Sequence, residues 1–385
     1  MNYEVHIPST LIIGGGTVAD VGSLAEKLGM KNVLLVSDKY LESTGLVSEI
    51  SKYLSGSEIK SVVFTDIQNE PEVSNVLDAM KTAQTSLCDG IISIGGGSSI
   101  DTAKAVSVML ANGGDMSDYM GTGKVKTAGI PHIAIPTTAG TGSEVTRVTI
   151  ITDVEKNIKM MCLDNAFMPI AAIVDYELSM TMPKSLTSYV GIDALTHAIE
   201  AYVSRKANPV SDIFAQKAIE LIGSSILTAY DKPDDKPARS AMMEGATFGG
   251  AAFSNASVCA VHGMSRPIGA HFHVAHGLSN AMLLPLVTEH SITGNLGRYA
   301  EIARIMGLSG GTDEALANAL VKKLHEYNKI MQVPNPAAYG INEGQYMEAM
   351  PDMADAAIAS GSPGNNPIVF TKDEIINLYR IIYNG

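Results

Sequence analysis

The run GIISIGGGSSIDTAKAVSVML (residues 90–110) holds a strand, a turn and a helix in unbroken succession. GIISIGG (90–96) is too uniformly apolar to alternate between core and solvent, so it reads as a strand of a parallel sheet covered on both sides. DTAKAVSVML (101–110) continues as a helix. Between them, Gly95-Gly96-Gly97-Ser98-Ser99 forms a turn whose backbone N–H groups, added to the helix N-terminus, suit a pyrophosphate. A glycine-rich tight turn without a ligand is the plain alternative.

Outward from this segment the pattern repeats. VLLVSD (33–38), SVVF (61–64), HIAIP (132–136) and AAIVD (171–175) read as further buried parallel strands, with 17–28 and 72–86 as crossover helices. After Pro183 the strand signal fades and helical segments follow at about 187–204, 210–230, 238–252, 278–290, 296–306, 312–330 and 371–382. The last opens with Thr371-x-x-Glu374, a capping-box spacing. The expected organisation is an α/β dinucleotide-binding domain over 1–183, a parallel sheet with helices on both faces, followed by an all-α metal-binding domain over 184–385.

Two other loops compete for or complete a nucleotide site. Gly14-Gly15-Gly16-Thr17-Val18-Ala19 fits G-x-G-x-x-A loosely, with Asp38 about twenty residues on. Asp38 ends an apolar strand, where it either forms a turn or accepts hydrogen bonds from an adenosine ribose and repels a 2′-phosphate, favouring NAD over NADP. Thr137, Thr138 and Thr141 belong to a hydroxyl-rich loop, 136–144, after another buried strand.

The helical half carries a metal-binding pattern. Asp193 and His197 lie four apart in GIDALTHAIEAYVS (191–204), on one helix face. His262, His271, His273 and His276 fall within VHGMSRPIGAHFHVAHG (261–277), a His-rich turn. One carboxylate oxygen with up to three imidazole nitrogens suits Zn²⁺ or Fe²⁺ better than Ca²⁺ or Mg²⁺. Asp-x-x-x-His alone would be a solvated helix face; the adjacent histidines change that reading.

Bulk properties narrow the function. A chain of 385 residues, 46% hydrophobic and 17% charged, can form two ordinary domains. A formal charge of −13 disfavours nucleic acid or an anionic membrane as principal partner. Cys88, Cys162 and Cys259 show no CxxC spacing, the N-terminus has no signal-peptide pattern, and no apolar run would span a membrane, so a cytoplasmic location is expected. The 20 methionines read as soft core filling.

GGGSSIDTAK (95–104), IPTTAGTGSEVTR (135–147), GIDALTHAIEAYVS (191–204) and VHGMSRPIGAHFHVAHG (261–277) together resemble the iron-containing (group III) alcohol dehydrogenase family, near the propanediol and lactaldehyde reductase type. The resemblance implies NAD(H), Fe²⁺ with Zn²⁺ as the alternative, and metal ligands Asp193, His197, His262 and His276. It implies that Gly95, Gly96, Gly97 and Ser98 hold the pyrophosphate, that Thr137, Thr138 and Thr141 border the nucleotide, that Asp38 meets the ribose, and that Lys159 lies near the nicotinamide ribose. A cleft between the two domains and a homodimer or larger homo-oligomer are also expected.

Relatives with HGMAHP place a histidine, proposed to relay protons, where this chain has Arg266. Arginine stays protonated and cannot shuttle a proton in the ordinary way, so His271, His273 or water takes that role or none does. Candidate catalytic residues are His276, Arg266 and His273, with Val148 and Phe253 also expected at the pocket. The expected reaction is hydride transfer between NAD(H) and a small alcohol, diol or short aldehyde. One alternative is reduction of a short aldehyde bearing a carboxylate, sulfonate or phosphonate that pairs with Arg266. Others are glycerol dehydrogenase or dehydroquinate synthase chemistry on the same scaffold, and a metal-dependent hydrolase that uses no nucleotide.

Overall fold

The computed structural model describes residues 2–68, 70–156 and 158–385, and the chain forms two compact units. One is His6–Met180. The other is Thr181–Gly385 together with the N-terminal residues up to Val5.

The strands in chain order are β1 (Thr10–Ile13), β2 (Asn32–Val36), β3 (Lys60–Phe64), β4 (Gly90–Gly95), β5 (Gly121–Thr122), β6 (His132–Pro136), β7 (Val148–Asp153), β8 (Ile158–Leu163) and β9 (Ala171–Val174). Helices α1 (Val21–Lys27), α2 (Lys39–Ser43), α3 (Leu46–Gly56), α4 (Val73–Thr85) and α5 (Gly97–Asn112) lie among them. Six strands make one parallel sheet in the order β1-β9-β6-β4-β2-β3.

Alternating side chains explain the uniformly apolar strands. Val33, Leu35, Ile92 and Ile94 pack with Leu24 of α1 and Ile50 and Leu54 of α3. Leu34, Val36 and Ile91 face the other way, against Val76 and Ala79 of α4 and Val106 of α5. Both faces are therefore covered, and the period-2 contrast between core and solvent disappears. From β2 the chain crosses to β3 on one side and then returns to β4 on the other. Such a reversal leaves a crevice at the carboxyl ends of the strands, where α/β sheets of this kind bind ligands.

A second sheet, β5-β8-β7, was not expected from the sequence. Its pair β7 and β8 is antiparallel and mixes buried with partly exposed positions, so neither strand stands out as an apolar run.

The other unit contains α6 (Lys184–Val203), α7 (Pro209–Asp231), α8 (Lys236–Asn255), α9 (Ala260–Phe272), α10 (His276–Ser291), α11 (Leu296–Ile305), α12 (Asp313–Ile330), α13 (Pro336–Tyr339), α14 (Glu343–Ala359) and α15 (Lys372–Asn384). The capping box at α15 is formed: Thr371 Oγ1 accepts from Glu374 N and the Glu374 carboxylate accepts from Thr371 N. α6 packs against α7, α8 and α10, and from Gly191 onward every residue is buried.

In this unit α9, the short α13 and α14 escaped the sequence reading. The segment read as a His-rich turn is the helix α9, with Gly263, Pro267 and Gly269 inside it, and α14 contains Pro351. Glycine and proline weaken the local helix signal, and tertiary packing overrides it. Cys88, Cys162 and Cys259 are all unpaired. Among the described residues no helix is long and apolar enough to cross a membrane.

Candidate metal centre and nucleotide turns

Asp193 on α6, His262 on α9 and His276 at the first residue of α10 each offer a ligand atom, and these atoms lie within 4.8 Å of one another. The convergence can be read from a single neighbour. Asn280, one turn along α10, places its Nδ2 2.6 Å from Asp193 Oδ1, 3.1 Å from His262 Nε2 and 3.2 Å from His276 Nε2. An amide nitrogen has two hydrogens for these three acceptors, while Asn280 Oδ1 is buried without a hydrogen-bond partner. Three lone pairs aimed at one point, with an amide that satisfies them incompletely, fit a divalent cation.

The fourth expected ligand, His197, lies beside this group. Its ring stacks on His262 at 4.4 Å between centroids and on Phe253 at 4.3 Å. Burial would raise the Asp193 carboxyl pKa, but His197, His276 and His262 outweigh it and hold the group well below the usual carboxylate range. Gly277 lets the start of α10 approach α6: a Cβ there would stand 2.7 Å from the Tyr189 carbonyl oxygen.

Glu200 was missed at the sequence level. It is 3% exposed, and its Oε2 lies 2.6 Å from His262 Nδ1 while Oε1 accepts from Val261 N. With Nδ1–H donating to Glu200, Nε2 is the His262 nitrogen left to serve a metal, on the side of Asp193 and His276. Burial lowers the His262 pKa, but Glu200 and Asp193 outweigh it and the net direction is upward. The spacing 193, 197, 200 continues one helix face and was the available signal.

His271 and His273 are exposed and outside the converging group, and His273 takes a left-handed φ of 53° just beyond α9. Arg266 lies one turn after His262. Its Nη1 donates to Ser362 Oγ at 3.3 Å.

In the other unit the glycine turn and the hydroxyl loop adjoin. Thr137 N donates to Gly95 O, and Cβ atoms built on Gly96 and Gly97 would lie 3.5 Å from Thr138 Oγ1 and 3.1 Å from Thr141 Cγ2. Gly95 takes a φ of +148°, and a Cβ there would lie 2.6 Å from Ser99 Oγ, so the turn demands glycine. The loose Gly14–Gly16 alternative follows β1, at the sheet edge. Asp38 caps α2, its Oδ1 accepting from Leu41 N. Lys159 forms an exposed ion pair with Glu70 at 2.6 Å.

A buried network, also missed, fixes the hydroxyl loop. Lys104 donates to Ser143 Oγ, Thr146 Oγ1 and Val148 O, while Asp101 accepts from Ser143 Oγ and Ile150 N. Burial lowers the Lys104 pKa to about 8 despite Asp101 and Glu144, and raises that of Asp101.

The sequence profile described as iron-containing alcohol dehydrogenase matches residues 8–176, and that of the Fe-containing alcohol dehydrogenase family, C-terminal, matches 187–383. An NAD-dependent methanol dehydrogenase from Bacillus methanolicus is 37% identical over 377 residues, 97% of this chain and 98% of the relative. A 1,3-propanediol oxidoreductase crystal structure superposes with a TM-score of 0.96 at 31% identity, covering 99% of this chain and 100% of the other. A sulfoacetaldehyde reductase from Bifidobacterium kashiwanohense, solved with NAD+, gives 0.91 at 27% identity with both chains fully covered.

Two outcomes follow from this geometry. Glu200→Gln, which no longer accepts strongly from His262 Nδ1, is expected to weaken Fe²⁺ or Zn²⁺ binding by roughly ten- to a hundredfold in calorimetric titration of the apo-protein. Unchanged affinity would show that Glu200 does not orient the ligand. Lys104→Met is expected to cost about 3–5 kcal/mol, because it removes the buried cation beside Asp101 and leaves Ser143, Thr146 and the Val148 carbonyl without their donor. The folded pKa of Lys104, about 8, lies below its unfolded value near 10.5, so between them the unfolded chain binds more protons and the lysine's contribution to stability rises with pH. The stability gap between wild type and Lys104→Met, measured from denaturant midpoints at pH 7.5 and 10, should widen at the higher pH. A narrowing would contradict the assignment.

Proposed function

The chain belongs to the iron-containing alcohol dehydrogenase family, and from that premise we propose that it interconverts short aldehydes with their alcohols or diols, using Asp193, His197, His262 and His276 to hold Fe²⁺ and the Gly95–Ser98 turn to hold NAD(H). It is an NAD- and metal-dependent alcohol and aldehyde oxidoreductase. The observation that carries the site assignment is the convergence of Asp193 Oδ1, His262 Nε2 and His276 Nε2 on one point. A nucleotide-free hydrolase is set aside, since profiles from the dehydrogenase family match both halves of the chain.

Bound there, the ion supplies Lewis acidity toward a substrate oxygen, and the nicotinamide supplies or accepts the hydride. The chain's own residues do the positioning. Asp193 brings the one negative charge among the four ligands. Glu200 keeps the His262 proton on Nδ1, so Nε2 stays available as a donor atom. Phe253 packs flat on His197 and limits how its ring can turn. His276, with a side chain 46% exposed, marks the solvent-facing side of the group, where substrate can enter.

At the other site, the N–H groups of the glycine turn and the N-terminus of α5 favour an anion. The Lys104 network keeps Ser143 and Thr146 in place behind Thr141. Asp38 spends one carboxylate oxygen on α2 and offers the other to a ribose hydroxyl. Lys159, paired with Glu70, would have to leave that ion pair to meet the nicotinamide ribose. Three unpaired cysteines support a reducing, cytoplasmic setting.

Removal of the metal by a chelator should abolish reduction of a short aldehyde while leaving NADH binding within about threefold, because the metal ligands and the nucleotide turn belong to different units. Readdition of Fe²⁺ under anaerobic conditions should restore turnover. Full activity in a verified metal-free sample would contradict the reading.

A further inference from the structure

Arg266 differs from Arg239, Arg298 and Arg304 in how it spends its donors. Arg298 pairs with Asp212 through both terminal nitrogens, and Arg304 bonds to Glu301 and Asp313. Arg239, which is 1% exposed, donates to Pro233 O, Thr187 Oγ1 and Met182 O. Arg266 is partly buried and donates to Ser362 Oγ alone, and among the described residues no carboxylate lies within ion-pair distance of it. A guanidinium has five N–H donors in a planar fork. Most of this fork is unspent.

The acid that acts on it electrostatically is Glu200, and both oxygens of Glu200 are already engaged by Val261 N and His262 Nδ1. Asp193 and Glu200 together carry two negative charges. Arg266 and a divalent ion carry three positive ones, with the histidines neutral. One positive charge is left over, on a partly buried guanidinium. Uncompensated charge there is costly, and a neutral aldehyde does nothing to offset it.

We propose that Arg266 binds an anionic head group on the substrate, so that the preferred substrates are short aldehydes ending in a carboxylate or sulfonate rather than neutral aldehydes of similar length. This rests on the oxidoreductase reading and specifies its substrate class. The i, i+4 spacing puts the Arg266 fork on the same face of α9 as His262, which suits a short molecule with its carbonyl toward the metal ligands and its acid toward Arg266. The planar fork matches a carboxylate or sulfonate with two parallel hydrogen bonds. The head group takes no part in the chemistry: the aldehyde takes hydride from NADH and a proton from solvent, giving the alcohol and NAD+.

The test uses the iron-loaded full-length enzyme with two substrate pairs, succinic semialdehyde against butanal and sulfoacetaldehyde against propanal. The wild type is expected to favour the acid in at least one pair. Arg266→Ala should lower the acid-to-neutral ratio of kcat/KM by roughly ten- to a hundredfold, mainly through KM. Arg266→Lys should restore part of it, since the charge returns without the fork. Thermal midpoints with and without 4-hydroxybutyrate give a second readout, with stabilisation by this acid lost in Arg266→Ala. Equal losses on acid and neutral substrates, with a lowered midpoint in the free enzyme, would make Arg266 a brace for the Ser362 turn and overturn the proposal. No preference for either acid would also overturn it. Failure of the wild type to reduce any of the four aldehydes would overturn the oxidoreductase reading, and this inference with it.

Discussion

The hydrogen bond between Glu200 and His262 Nδ1, 2.6 Å long and buried, constrains the rest of the candidate metal centre. It ties α6 to α9 at the level of the ligands and leaves Nε2 as the nitrogen to serve a metal. The second Glu200 oxygen holds Val261 N, near the start of α9. A carboxylate buried this deeply would be costly without partners, and it has two. The same helix supplies Asp193 and His197, so α6 acts as a rail on which the site is built, with α9 and α10 each contributing one imidazole. Close approach at Gly277 keeps α10 near enough to α6 for His276 to join.

The nucleotide side depends on a different constraint, the need to hold two turns together at the carboxyl ends of neighbouring strands. β4 and β6 pair in register up to Gly95 and Pro136, so the turns that follow begin side by side. The absence of side chains at Gly96 and Gly97 lets Thr138 and Thr141 come close. Lys104 and Asp101 then lock the far end of the hydroxyl loop from inside α5. The Lys104 charge is hidden from solvent, and every Lys104 proton has an acceptor.

Much of this was legible in the sequence because a sheet covered on both faces leaves its strands as apolar runs bounded by turn residues, while the helices keep a period of their own. The five apolar runs of the first half are strands, and the helices from 187 to 330 fall within a few residues of where their periodicity put them. What escaped did so for identifiable reasons. α9 carries two glycines and a proline that local propensity counts against a helix, so its histidines looked like a turn. Glu200 sits among apolar residues that resemble plain core, and only its register with Asp193 and His197 set it apart. Asp101 and Lys104 drew no separate notice in the helix that follows the glycine turn, because their partners Ser143, Thr146 and Ile150 lie some forty residues on in the sequence. Asp38 took the turn-forming reading, as the N-cap of α2.

The central claim is that Asp193, His197, His262 and His276 hold one divalent metal ion, and anomalous X-ray diffraction from anaerobically prepared crystals, recorded on both sides of the iron absorption edge, tests it most directly. The account predicts one strong peak per chain at about 2.0–2.2 Å from Asp193 Oδ1, His262 Nε2 and His276 Nε2, with His197 as the fourth ligand and Asn280 Nδ2 displaced from the point it now occupies. A peak elsewhere, or none in protein that reduces aldehydes at full rate, would contradict it.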